Sequence, residues 1–155
     1  ADPKELPNAF LGLLGTTDIV LVDASAGLGR EALSALEAGD ELLLVTTPDI
    51  SSVTDALKTA KLAEQLGTRV AGAVINRIEG GKHQMARDDV AGMLNMPILA
   101  EIPEDKNVHR AIARRTPVVH HKPGAKSSRE IRRLARRLVG HPEERKGFFS
   151  FLLRR

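Results

Sequence analysis

Residues 18–31 read DIVLVDASAGLGRE, and this stretch decides the fold. Residues 19–22 are apolar without any alternation, and the run ends at Asp23. A short continuous apolar run is typical of a strand that is buried on both faces of a parallel sheet. Three later runs have the same character, namely residues 41–46 (ELLLVT), 70–75 (VAGAVI) and 98–102 (ILAEI). We therefore predict four strands, of which residues 18–23 form the first.

Helical patterns separate these apolar runs and cover residues 31–38, 51–66, 85–94, 108–115 and 127–139. In the longest of them, Ser51 and Ser52 are the expected caps and Gly67 is the expected stop. Strands that alternate with helices indicate βαβ units. We expect an α/β fold with a doubly wound, mostly parallel sheet and helices on both faces in residues 1–140. A linker and an amphipathic helix are expected in residues 141–155.

The cysteine count, the apolar runs and the charge distribution exclude some classes of function. The chain has no cysteine, which excludes disulfides and thiolate metal sites. The opening residues lack a signal-peptide pattern, and no apolar run approaches the roughly 18 residues that span a bilayer. The net charge of +3 is split unevenly, because residues 1–109 carry nine Lys/Arg and seventeen Asp/Glu, whereas residues 110–155 carry fourteen and three. A basic end of this kind suits an anionic partner, and a solvated basic helix is the alternative.

Asp23 ends the first apolar run in the manner of a Walker B carboxylate. A carboxylate at a strand tip can hold Mg²⁺ beside the phosphates of a nucleotide. Gly27 follows four residues later. In switch-type NTPases a D-x-x-x-G segment brings a backbone N–H close to the γ-phosphate, since glycine has no Cβ. The alternative is an aspartate that caps the next helix, followed by turn glycines.

Polar residues also follow the later strands, and ligands of doubly wound folds bind at the carboxyl ends of strands. Asn76 and Arg77 follow the third run. An amide there can read the edge of adenine, and a plain turn is the alternative. Pro103, Glu104 and Asp105 follow the fourth run, where a helix cap is the alternative.

In this order and spacing, four segments resemble the MinD/ParA family of deviant-Walker ATPases, and most closely the archaeal MinD-type cell-division ATPases. These segments are residues 23–27 (DASAG), 48–56 (PDISSVTDA), 76–77 (NR) and 102–111 (IPEDKNVHRA). The resemblance covers nearly the whole chain and implies a P-loop NTPase-like fold that is incomplete at its N-terminus. It also implies an ATPase switch with ATP and Mg²⁺ as cofactors, acting in cell-division site placement or spatial positioning.

The resemblance further assigns roles to residues. Asp23 would be the Mg²⁺-associated carboxylate of switch II, and Gly27 would sense the γ-phosphate. The residues that bind the adenine and ribose would be Asn76, Arg77, Pro103, Glu104 and Asp105. An ATP-dependent homodimer and a regulatory or effector protein would use the surface between Ser51 and Asp55. Ser25 stands where the family usually has proline, which would loosen the switch loop.

The phosphate-binding loop of that family is absent from the sequence, because no G-x-x-x-x-G-K-[ST] occurs in it. In the family, the strand that leads into this loop lies between the strands expected at residues 18–23 and 41–46. Both would expose unpaired edges without it, which favours aggregation. We therefore expect the isolated chain to fold poorly and to hydrolyse no ATP, with the missing half removed or on another chain.

The last thirteen residues, EERKGFFSFLLRR, resemble a membrane-targeting helix. At 100° per residue they place apolar side chains on one broad face with cations at its margins. The expected membrane-binding residues are Phe148, Phe149, Phe151, Leu152, Leu153, Arg145 and Lys146. This pattern suits an interfacial helix on anionic lipid, in a protein that is cytoplasmic and peripheral on the inner face of the cell membrane. The alternatives are docking on the protein's own surface and nucleic-acid binding, which the arginines of residues 129–137 also allow.

Three functional interpretations remain open at this point. The first is an ATP-dependent switch that binds ATP and ADP and dimerises on the membrane. The second is a non-catalytic module that binds nucleotide or a partner, since the phosphate-binding loop is missing. The third is a ParA-like DNA-partitioning ATPase, which should lack the amphipathic tail.

Overall fold

The computed structural model describes residues 12–13, 15–24 and 29–140. Gly27 and Ser25 of the expected switch loop lie outside the described residues, as does the whole of residues 141–155. The helices and strands follow one another as α1 (Arg30–Ala38), β1 (Glu41–Thr46), α2 (Ile50–Leu66), β2 (Arg69–Ile78), α3 (Arg87–Leu94), β3 (Ile98–Pro103), α4 (Lys106–Ala113), α5 (Val118–His121) and α6 (Lys126–Leu138).

The described strands form one parallel sheet in the order β1-β2-β3. Glu41 pairs with Arg69 and Thr46 pairs with Ile75, with a register irregularity between Leu42 and Leu43. These strands confirm three of the predicted apolar runs and the α/β class. The second strand continues to Ile78, three residues beyond its predicted end.

Helix α2 and the sheet enclose a core of small and branched apolar side chains. Its buried members are Leu44, Val53, Ala56, Ala60, Ala73, Ile75, Val90, Leu94 and Ile98. The sequence has no Phe, Tyr or Trp between Phe10 and Phe148. The core side chains are therefore small, and the strands and helices must pack with their backbones close together. Gly72 illustrates the fit, since its φ is +146° and a Cβ would lie 2.7 Å from the carbonyl oxygen of Pro97. An L side chain at this position would clash with the backbone and strain the strand.

The prediction of a strand at residues 18–23 was wrong. Residues 19–24 have no regular secondary structure. Ile19, Val20, Leu21 and Val22 are 38–85% exposed, with Leu21 at the upper limit. A strand exists only when a neighbour supplies its ladder hydrogen bonds, and no strand pairs with this run among the described residues. The apolar run is therefore one that a further segment would have to cover.

The helix caps differ in part from those expected. Gly67 ends α2 in the left-handed conformation at φ +83°, as predicted. The N-cap is Asp49, and its carboxylate accepts a hydrogen bond from the N–H of Ser52. Ser51 and Ser52 instead lie within the first turn of the helix, because the chain is still extended at Asp49. The short helix α5 was not predicted.

The chain divides into two compact units between Glu101 and Ile102. The first unit holds β1, β2, residues 98–101 of β3 and the core described above. The second unit holds α4, α5 and α6, and contacts join α5 to both of the other helices. Ser128 lies fully buried in this unit, and its hydroxyl donates to carbonyl oxygens of Val118 and Lys122.

Candidate functional site

Asp23 is exposed and lies directly after the apolar run of residues 19–22. Helix α1 begins after Gly29, and no side chain caps it, so Asp23 is not the cap of this helix. Within the described residues, no group of three or more acidic or histidine side chains could hold a metal ion. A magnesium ion at Asp23 would therefore need phosphate oxygens and water as its other ligands, which is the coordination that Mg²⁺ takes in nucleotide sites.

A polar network follows the carboxyl end of β1. The hydroxyl of Thr47 lies 2.6 Å from Asp49 Oδ2 and 2.8 Å from Ser52 Oγ. The N–H of Ser52 donates to Asp49 Oδ1 over 2.9 Å. The hydrogen bond from Thr47, followed by that from the Ser52 backbone, holds the pKa of Asp49 below its usual value. The start of α2 is thus fixed to the end of β1 by an ionised carboxylate.

Asn76 and Arg77 lie close to the carboxyl end of β2, and the backbone conformation there is unusual. Arg77 has a φ of +59°, in the left-handed region that non-glycine residues seldom adopt. Its N–H donates to Asn76 Oδ1 over 2.9 Å. Asn76 is half-buried, and its Nδ2 donates no hydrogen bond within the described residues. The amide oxygen therefore accepts one hydrogen bond from the backbone, and the NH₂ group is available to donate to a ligand.

Gln84 holds the loop that follows β2, a role that the sequence reasoning missed. Its Oε1 accepts hydrogen bonds from the N–H groups of Glu79 (2.8 Å) and Gly80 (3.1 Å). Its Nε2 donates to the carbonyl oxygen of Arg77 over 3.1 Å. One side chain thus satisfies three backbone groups at the end of a strand. The only sequence signal was a glutamine shortly after the Gly80-Gly81 pair.

Two depressions open beside this loop in the first unit. The smaller has a volume of about 210 Å³ and brings Arg77 together with the polar network after β1; its lining is Thr47, Pro48, Asp49, Arg77, Glu79, His83 and Gln84. The larger, of about 290 Å³, extends past Pro48 and Ile75 to Arg87 and Glu101. Arg87 Nε lies 3.2 Å from the Glu101 carboxylate. The N–H of Met85 donates to the Pro48 carbonyl oxygen over 2.9 Å and so links the two strand ends.

In the second unit, Pro103 ends β3 and Asp105 is the N-cap of α4. Oδ1 of Asp105 accepts hydrogen bonds from the backbone N–H (2.9 Å) and the side-chain amide (2.7 Å) of Asn107. Oδ2 accepts from the N–H (3.3 Å) and the hydroxyl (2.9 Å) of Ser127. The hydrogen bond from the Asn107 backbone, with those from Ser127, lowers the pKa of Asp105 to about 2. The helix-cap interpretation of Asp105 is confirmed.

Glu104 is half-buried and lies 3.1 Å from Nε2 of His109. Pro103 is half-buried as well. Asp105 has its carboxylate occupied by protein donors, and this geometry is that of a positioning residue for the turn that carries Pro103 and Glu104. The role of these three residues towards a nucleotide stays a prediction.

The described part of the chain contains no helix that is both long and apolar enough to cross a membrane.

Comparison with known proteins places the chain among ATP-binding relatives. The family model ParA, described as NUBPL iron-transfer P-loop NTPase, matches residues 12–139. An uncharacterized ATP-binding protein of Methanocaldococcus jannaschii is 32% identical over 90% of this chain and 53% of its own length. A putative septum site-determining protein MinD of Nephroselmis olivacea is 38% identical over 79% of this chain and 46% of its own length. The chain thus spans about half the length of the curated relatives it matches.

Solved structures give the same result. The septum site-determining protein MinD of Pyrococcus horikoshii, complexed with Mg-ADP, is similar with a TM-score of 0.84 and 33% identity, over 89% of this chain and 57% of that one. The MinD of an Aquifex aeolicus MinC:MinD cell division protein complex has a TM-score of 0.82 and 27% identity, over 94% of this chain and 63% of that one. The fold of the described residues is therefore that of the MinD ATPases.

Proposed function

The chain belongs to the ParA family of P-loop NTPases, and on this premise we propose that the protein is an ATP-binding, membrane-associated ATPase switch of the MinD type. It acts in cell-division site placement or spatial positioning. The observation that carries the proposal is the end of β2, where Asn76 offers an amide donor beside a loop that Gln84 fixes in place. A base-reading group at the carboxyl end of a parallel strand is what nucleotide recognition in such folds requires.

Base recognition follows from the state of the Asn76 amide. Oδ1 accepts the N–H of Arg77, and Nδ2 of Asn76 donates to N1 of adenine, where guanine carries an N–H donor instead. Arg77 follows it in β2. From the second unit, the resemblance to the MinD family assigns Pro103 and Glu104 to adenine and ribose binding. Asp105 holds the backbone of that turn through α4 and α6. The printed description of the Pyrococcus relative, a complex with Mg-ADP, supports adenine nucleotide as the ligand class.

Asp23 holds the magnesium that accompanies the nucleotide, directly or through water. Bound Mg²⁺ neutralises charge on the phosphates, and hydrolysis in such sites depends on positioning and electrostatics with water as the nucleophile. Gly27 senses the γ-phosphate through its N–H. The 155 residues contain no Walker A pattern, and the proposal assigns no phosphate-binding loop within them.

We assign the start of α2, between Ser51 and Asp55, as the surface that binds the second protomer and an effector protein. Ile50 is 63% exposed in the first turn of α2, and the side chain of Asp55 is 68% exposed in the second turn. An apolar and an acidic group are therefore accessible at the start of this helix. The network of Thr47, Asp49 and Ser52 fixes this turn rigidly to the end of β1. Nucleotide-dependent dimerisation and effector binding use this surface between Ser51 and Asp55. The Aquifex relative occurs in a complex with MinC, which supports an effector protein of that kind.

Membrane association comes from the C-terminal residues, in which Phe148, Phe149 and Phe151 would share an apolar face with Leu152 and Leu153 in a helix. Arg145 and Lys146 precede these apolar residues in the sequence and suit anionic headgroups. The protein is then peripheral on the inner face of the cell membrane.

A non-catalytic module that binds nucleotide or a partner is the second candidate. The absence of a Walker A pattern in the 155 residues favours it. The two candidates differ in whether Asp23 matters for turnover.

The test is Mg²⁺-dependent nucleotide binding and hydrolysis by the full-length protein. We expect calorimetric binding of ADP in the presence of Mg²⁺, and slow ATP hydrolysis that Asp23→Asn lowers by about 100-fold or more, since positioned charge dominates phosphoryl transfer. Asp40→Asn, which removes one carboxylate at an exposed position directly before β1, is the matched control and should change turnover by less than about threefold. Binding of ADP without any turnover would favour the non-catalytic module, and no binding of ADP would reject both.

A further inference from the structure

Helix α6 has one face that is almost entirely cationic. At 100° per residue, six basic side chains fall on one half of the helix: Lys126, Arg129, Arg132, Arg133, Arg136 and Arg137. The opposite half holds the buried Ser127 and Ser128 and the half-buried Ile131 and Leu134. All six basic residues are exposed. The helix therefore packs through one face and presents a row of positive charge about 18 Å long on the other.

Little of this charge is neutralised. Glu130 is the only acidic residue of α6, and it pairs with Arg133 over 2.7 Å. The guanidinium of Arg129 donates to the carbonyl oxygen of Gly124, and that of Arg132 donates to those of Pro123 and Val119. Carbonyl oxygens carry no net charge, so these bonds fix the two arginines without cancelling them. Lys126 and Arg136 have no side-chain partner within residues 29–140.

The net charge of the second unit as a whole, with α6 included, is also positive. Its described residues, 102–140, hold eleven Lys and Arg against three Asp and Glu. Of the three acidic residues, Asp105 is bound to Ser127 and Asn107, and Glu104 lies against His109. A face with this surplus attracts a polyanion.

Two features distinguish a membrane from a nucleic acid as the polyanion. Val139 (48% exposed) follows the arginines as the C-cap of α6, and an apolar side chain beside cations suits the headgroup region of a bilayer. The sequence between Phe10 and Phe148 has no Phe, Tyr or Trp on which a base could stack. The chain also continues from Gly140 towards the apolar tail proposed to enter the membrane.

We propose that the basic face of α6 lies against anionic lipid headgroups and forms a second, electrostatic membrane contact. The inference rests on the membrane association proposed above and adds a surface of the folded unit to the tail. One amphipathic anchor gives weak and reversible binding, and a polybasic surface beside it strengthens the attachment and selects anionic lipid.

The experiment is sedimentation of the full-length protein, in the presence of Mg²⁺ and ATP, with vesicles of equal parts phosphatidylglycerol and phosphatidylcholine. The variant is Lys126→Gln with Arg136→Gln, because neither side chain has a hydrogen bond within residues 29–140 to lose. The matched control is Lys61→Gln with Lys82→Gln, which removes the same charge from exposed positions of the first unit. We expect the α6 variant to lower the partition coefficient by about 30-fold. The control should lower it by less than about threefold, with unfolding curves alike for both.

Equal binding of the α6 variant and its control would overturn the proposal. If Phe148→Glu abolished sedimentation in that case, the tail and the proposed function would still stand. Loss of binding to a duplex DNA by the α6 variant, with vesicle binding unchanged, would assign the face to nucleic acid and would also overturn the proposal. Failure of the unmodified protein to bind any vesicle would reject the membrane part of the proposed function together with this inference.

Discussion

The carboxylate of Asp105 accepts hydrogen bonds from both the backbone N–H and the hydroxyl of Ser127, at 3.3 and 2.9 Å. Because Asp105 is also the N-cap of α4, one carboxylate serves the first turns of two helices, and Ser127 lies 22 residues after it in the chain. Ser127 is fully buried, so its hydroxyl has no water to replace this acceptor. The turn after β3 is thereby held in a single conformation.

We expect Asp105→Ala to lower the free energy of unfolding by about 1–2 kcal/mol, as the loss of a helix cap does. Ser127→Ala should cost about 1 kcal/mol. The double variant should fall short of the sum of the two single effects by about 0.5 kcal/mol or more, because the residues interact directly. Urea unfolding of the four proteins measures this coupling. Additive effects would show that the Asp105–Ser127 contact contributes nothing.

The same carboxylate gives a pH dependence. Its pKa is about 2 in the folded protein against a usual value of 3.8, so the unfolded chain binds the proton more readily. The stabilisation is complete above about pH 5 and is lost as the pH falls from about 4 to about 2. Asp105→Asn, which keeps a cap acceptor but does not titrate, should lose less stability over this window than the unmodified protein. Parallel curves for the two proteins between these pH values would contradict the assignment.

Gln84 should control the loop after β2. Gln84→Ala removes one acceptor shared by two backbone N–H groups and one donor to the Arg77 carbonyl oxygen. We expect a loss of about 1–2 kcal/mol and faster amide hydrogen exchange at Glu79 and Gly80. Gln65→Ala, at an exposed position of α2, is the control and should change stability by less than about 0.5 kcal/mol. Unchanged exchange in the Gln84 variant would remove the structural basis for a fixed loop.

Asn76 should distinguish adenine from guanine nucleotides. Asn76→Ala removes the Nδ2 donor, and we expect the Kd for ADP of the full-length protein to rise by about tenfold, the value of one hydrogen bond to a ligand. The Kd for GDP should change less, since the lost contact is specific to the base edge. Gln65→Ala again serves as the control in calorimetric titrations. An equal rise for both nucleotides would indicate a general loss of the site's shape.

The sequence predicted β1 and β3 nearly to the residue, because continuous runs of branched apolar residues have few alternatives to a buried strand. Residues 18–23 have the same pattern and still form no strand. The difference is the neighbour: β1 pairs with β2, whereas Leu21 is 85% exposed. Ladder pairing is a property of two segments, and the pattern of one segment cannot supply it.

The site was predicted as a set of strand ends but without its internal hydrogen bonds. Asp49, Ser51 and Ser52 are all competent caps, and only the extended backbone at Asp49 decides between them. Gln84 was missed because its three bonds depend on how the loop folds back on β2. The resemblance placed Asp105 beside the nucleotide, yet the partners of its carboxylate are Asn107 and Ser127. Contacts of this kind follow from the packing of α5 against both α4 and α6, which periodicity alone does not encode.

The most direct test of a membrane-bound ATPase switch is vesicle sedimentation of the full-length protein under different nucleotides. With Mg²⁺ and ATP we expect the protein to pellet with vesicles that contain phosphatidylglycerol, because dimerisation doubles the number of anchors and raises avidity by a factor of about 100 or more. With Mg²⁺ and ADP it should stay in the supernatant. Sedimentation that is the same with ATP, with ADP and without nucleotide would contradict the switch.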